Sequence, residues 1–61
     1  MNGIKNVKKT VMAIDGTTES NTLKVTDKND VIYFVPKINE NLDYQKVLEW
    51  VAEGNTIEEA D

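Results

Sequence analysis

The chain has 61 residues, a net charge of −4, and no cysteine, histidine or arginine. That length allows one domain, spanning residues 1–61, which would bury only about 60% of its unfolded surface. The missing residue types exclude disulfides, thiolate and imidazole metal sites, and the usual neutral-pH base.

Small scaffolds generally need a staple, and with none in the composition the expectation is an oligomeric assembly or a protein partner. No apolar run approaches the about 18 residues of a membrane span, and "MNGIKNVKK" lacks the apolar core of a signal peptide. The expectation is a soluble chain made in the cytoplasm of its producing cell, free to be packaged later into a particle. Charge divides unevenly: residues 1–37 carry +2 and residues 38–61 carry −6. Without arginine, the favoured side chain for phosphate and guanine contacts, the pattern argues against nucleic acid. A basic half and an acidic half suit contacts with copies of the chain or with a charged partner, and equally suit solubility.

In chain order, "IKNVKKTVMAI" (4–14) reads as a strand over about residues 8–14, with the earlier residues an arm. Val7, Val11 and Ala13 would share a face with Lys5 and Lys9, leaving Ile4, Asn6 and Lys8 on the other. Ile4, Val7, Val11 and Ile14 also fit a helical stripe, which keeps a helix open as the alternative. "DGTTESN" is loop chemistry, with Asp15-Gly16 favouring a positive-φ turn. "TLKVT" (22–26) alternates with Leu23 and Val25 on one face, and "DKND" (27–30) is a second polar turn. "VIYFV" (31–35) is the most apolar run, with Val31, Tyr33 and Val35 on one face and Ile32 and Phe34 on the other. A strand apolar on both faces is covered twice or meets a partner, and Pro36 ends it. Short connections make these strands an antiparallel meander.

The remaining segment reads as a helix over about residues 44–53, with Asp43 as N-cap and Leu42 stapled to Val47. Tyr44, Val47, Leu48 and Val51 form the apolar stripe, Trp50 flanks it, and Gly54 fits the position after the last turn. Thr56 and Glu59 have capping-box spacing, so residues 56–61 read as a short terminal turn anchored by Ile57, or as a frayed acidic tail. The fold class is therefore α+β: a small antiparallel meander of about three strands, a C-terminal helix and a terminal turn.

Catalytic chemistry finds little support. Ser20 lies in a loop with no histidine to activate it. The pairs Asp27/Asp30 and Glu58/Glu59 read as solvated surface, and "DKND" lacks the glycine and distal glutamate of a calcium loop. No cofactor or metal is expected, and the chain does not read as an enzyme.

Asp43-Tyr44-Gln45 followed by Leu48-Glu49-Trp50-Val51-Ala52-Glu53-Gly54-Asn55-Thr56 resembles a motif, "DYQ…L.WVA.GNT.E.AD", of small tail and tail-fibre-associated proteins of tailed bacteriophages. The resemblance covers residues 36–61, with Pro36 and Asn41 also in familiar places. Ile57 stands where many such proteins have proline. The motif commonly closes its chains and carries no known catalytic residue. It implies a virion setting: a structural or interaction protein in a tail, neck or fibre assembly, contacting other virion proteins or copies of itself. The rival expectation is a non-virion helper, either a fibre assembly chaperone or a small acidic inhibitor of a host protein. The interface candidates are Ile32, Tyr33, Phe34, Trp50 and Ile57. Trp50 has two open readings, a seal on the core or an anchor to a partner.

Overall fold

The computed structural model describes residues 3–12 and 14–60. Three strands, β1 (Ile4–Val11), β2 (Glu19–Asp27) and β3 (Ile32–Pro36), precede one helix, α1 (Leu42–Ala52). The strands form a single antiparallel sheet in the order β1-β2-β3, and α1 packs against β1 and β3. This is the α+β meander-plus-helix arrangement that the hydrophobic pattern predicts.

The core is small. Val7, Leu23, Val25, Val35 and Val47 are at most 2% exposed. Each removes a branched aliphatic side chain from water, a contribution of about 2 kcal/mol. Ile4, Tyr33, Tyr44, Trp50, Val51 and Ile57 pack around them, partly buried. Cross-strand register explains the set: Val25 lies opposite both Val7 and Tyr33, and Leu23 opposite Val35.

β1 differs from expectation at both ends. It begins at Ile4 and stops at Val11, so Ile4, Asn6 and Val7 belong to the sheet instead of to an arm. Ala13 lies outside the described residues. Ile4 pairs with Asp27 and Asn6 with Thr26, which leaves Lys5 as an extra residue, a bulge. That one residue reverses the side-chain parity. Ile4 therefore joins the core side with Val7, where strict alternation puts it on the opposite face. A second irregularity between Lys9 and Val11 releases Val11, 37% exposed, from the core face.

The first connection is organised by Asp15. Its carboxylate accepts the N–H groups of Thr17 and Thr18 and the Thr18 hydroxyl. Gly16 takes a positive φ of 70° and returns its N–H to the Met12 carbonyl. The second connection is built around Asp27, with Asp30 in the left-handed region at φ 63°.

The helix starts two residues earlier than its apolar stripe suggests. Asn41, not Asp43, is the N-cap: its Oδ1 accepts the Tyr44 N–H at 3.0 Å. A turn closed by the Asn41 N–H on the Ile38 carbonyl delivers the chain to that cap. Asp43 sits inside the first turn, where its charge favours the helix dipole. Leu42 is 73% exposed and forms no staple with Val47. Leu48 also departs from expectation at 44% exposed. The helix rolls toward Trp50, so the inward stripe is Tyr44, Val47, Trp50 and Val51. Gly54, at φ 106°, follows the last turn and donates to the Val51 carbonyl.

The terminal segment is extended, not a helical turn. Glu58 makes a parallel bridge to Lys8: its N–H donates to the Val7 carbonyl at 2.8 Å, and its carbonyl accepts the Lys9 N–H at 2.9 Å. Ile57, just before it, packs on the core cluster. The backbone bonds available at the open edge of β1 outweigh a capping box that has no helix to cap. Asn6 Nδ2 to Glu58 and Lys9 Nζ to Glu59, both 3.2 Å, add side-chain links.

Two outcomes follow. Glu58→Pro deletes the donor to Val7; the expected cost is about 1 kcal/mol, with faster hydrogen exchange at the Lys9 amide. The bonds from Thr18 and Thr17 hold the Asp15 carboxyl at about 2, below its ordinary 3.8. A depressed carboxylate stabilises the fold above its unfolded value and loses that contribution as pH falls toward the folded one. Acid unfolding between those pH values should therefore be less steep in Asp15→Ala than in the parent chain, measured by circular dichroism.

Candidate interaction surface

The helix covers only one face of the sheet. Residues opposite one another in register share a face, so the uncovered side carries Asn6 and Lys8 from β1, Thr22, Lys24 and Thr26 from β2, and Ile32 and Phe34 from β3. Ile32 is 49% exposed and Phe34 68%. Phe34 lies directly across from Lys24, and Ile32 from Thr26. An exposed phenyl ring beside an aliphatic side chain, bordered by lysine and threonine, is a compact apolar spot with a polar rim.

The five sequence-derived candidates therefore separate. Ile32 and Phe34 come together on the open face. Tyr33 points the other way, toward the core. Trp50 and Ile57 are half-buried against that same core. Trp50 keeps one side toward solvent, lining an open cleft of about 320 Å³ with Gly3, Ile4, Lys46, Glu49 and Glu53. Asn55 Nδ2 donates to the Trp50 carbonyl at 2.8 Å and so fixes the chain leaving the helix.

Asp27 is the group that sequence reasoning misplaces. It reads as solvated turn surface, yet it is 1% exposed. Its Oδ1 accepts the Asn29 N–H at 2.9 Å and the Val31 N–H at 3.0 Å, and its Oδ2 accepts the Tyr33 hydroxyl at 3.2 Å. These are the bonds that make burying a carboxylate affordable. Burial, then the Asp27 charge and hydrogen bond, push the Tyr33 hydroxyl above its ordinary value, with Asp43 adding to the effect. The carboxylate is enclosed by donors that build the β2–β3 turn, so its geometry is that of a turn organiser. The signal available in the sequence was the placement of Asp27 at the inward end of β2, in phase with Leu23 and Val25.

The remaining ion pairs are at the surface. Lys5 meets Asp30 at 2.7 Å, and Lys37 meets Glu19 at 2.7 Å. The Lys37 hydrogen bond and charge, helped by Lys9, hold the Glu19 carboxyl below its ordinary value. Exposed pairs of this kind add little to stability and serve mainly to pin strand ends. Among the described residues, no group of three or more acidic side chains could hold a metal ion, and no helix is long and apolar enough to cross a membrane.

Asp27→Ala should leave two part-buried N–H groups and the Tyr33 hydroxyl without their acceptor, costing about 2 kcal/mol, whereas Tyr33→Phe should cost about 1 kcal/mol. Urea midpoints at unchanged slope check both values.

Searches of protein families, of curated proteins and of solved structures find no match to this chain.

Proposed function

We propose that the chain is a structural interaction protein of a tailed-phage virion, placed in a tail, neck or fibre assembly and acting through protein contacts without catalysis. One observation carries the interaction part of this reading. Phe34, at 68% exposed, stands beside Ile32 on a sheet face that no helix or strand among the described residues covers. A chain this small has few apolar side chains to bury, and leaving a phenylalanine outside makes sense where another protein supplies the cover. The setting rests on the resemblance of residues 36–61 to the tail and fibre motif. In this fold those residues form the helix, its stop at Gly54 and the strap on β1. The motif is thus a packing unit, and the surface offered to partners comes from β3.

The test is the protein content of purified particles. Mass spectrometry should find the chain at a stoichiometry matching a symmetric ring or fibre. Phe34→Ser should leave the isolated protein folded while its incorporation drops severalfold. Complete, infectious particles lacking the chain would overturn the virion reading and favour an assembly helper.

A further inference from the structure

The two edges of the sheet are treated differently. The outer edge of β1 is occupied by the strap, through Glu58 and its bonds to Val7 and Lys9. The outer edge of β3 is open: among the described residues, β2 is its only neighbour in the sheet. Bonds from Lys37 N–H to the Asn21 carbonyl and from Asp27 N–H to the Val31 carbonyl set the alternation of the β2–β3 ladder. Odd-numbered β3 residues turn their backbone groups to β2, and Ile32 and Phe34 turn theirs outward. Among the described residues, no backbone hydrogen bond reaches Ile32 or Phe34 from beyond the sheet. The same two residues expose their side chains.

Edges of this kind are normally blunted by charge, bulges or cover. Here residues 31–36 carry no charge, with Asp30 before them and Lys37 after. Pro36 lacks an N–H, and its carbonyl already accepts the Ile38 N–H at 2.9 Å. The bondable edge is therefore short, defined at both ends, and symmetric about Tyr33.

We propose that the outer edge of β3 binds β3 of a second copy of this chain, antiparallel, about a two-fold axis through Tyr33. In that register Ile32 of each copy exchanges both backbone bonds with Phe34 of the other. On the open face each Phe34 ring then lies across from an Ile32 side chain, an aromatic–branched pair that favours sheet pairing. Proline meets Asp30, whose N–H is already given to the Asp27 carbonyl, so no donor is stranded. The antiparallel sense brings Asp30 of one copy near Lys37 of the other; a parallel sense would stack like charges. The interface is isologous and closes after two copies, with both helices on one side of a sheet twice as wide. This deepens the interaction reading by naming the partner, and rests on it only for the surface used.

The test is sedimentation equilibrium of the isolated chain combined with amide exchange by NMR. The expected mass rises with concentration from 6.9 kDa to twice that value. Across the same range, exchange at the Ile32 and Phe34 amides slows in step with dimer population. Phe34→Lys, a surface change, should keep the core resonances and remain monomeric. A monomer at every concentration, or a dimer in which those two amides stay in fast exchange, overturns the proposal. Dimerisation is read on the isolated chain and incorporation on particles, so each reading fails on its own measurement.

Discussion

The structure depends on one contact, the insertion of Val47 into the inner face of the sheet. Val47 is the only helix residue fully withdrawn from water, and it meets a sheet whose own buried side chains are Val7, Leu23, Val25 and Val35. A helix of this length does not persist alone, and an isolated meander of this size is marginal. Each element therefore supplies the burial that the other lacks. Tyr44, Trp50, Val51 and Ile57 form a skirt around this contact, half in and half out. The tryptophan's position follows from that need: its large ring seals the flank where the small core would otherwise be wetted.

The same scarcity explains the strap. A sheet with so little hydrophobic support loses much when an edge strand frays. The chain returns through Ile57 and Glu58, adding one apolar contact and two backbone bonds where β1 is most exposed. Asp27 works in a similar way at the other connection, replacing apolar burial by a carboxylate whose oxygens tie Asn29, Val31 and Tyr33 together. Polar organisation at the turns and aliphatic packing at the centre divide the task.

Element type was legible where the period was clear. Leu23 and Val25 alternate cleanly, the β3 run is apolar and ends in proline, and the helix stops at a glycine that does adopt positive φ. Parity was not legible in β1, because a single bulged residue at Lys5 reassigns Ile4 to the core, and nothing local marks it. The helix start was hidden because Leu42 is helical yet faces solvent, so the apolar stripe begins after the true cap at Asn41. The strap was misread because its partner lies about fifty residues away in sequence and local capping rules see only neighbours. Of the candidate surface, Ile32 and Phe34 followed from strand alternation alone. The inward turn of Trp50 required knowing which way the helix rolls, and that of Ile57 the path of the strap along β1.

The strap also orders events in folding. Both hairpins close over short loops, whereas the bridge between Lys8 and Glu58 encloses about fifty residues. Closing so long a loop costs more entropy, and its reward is confined to one contact and two bonds. The strap should therefore dock last, after helix and sheet have met, and should be the first part to detach in local fluctuations. During synthesis a nascent chain would hold a nearly complete core with β1 still unpaired on its outer side. Until Ile57 and Glu58 emerge, that edge stays open to other chains.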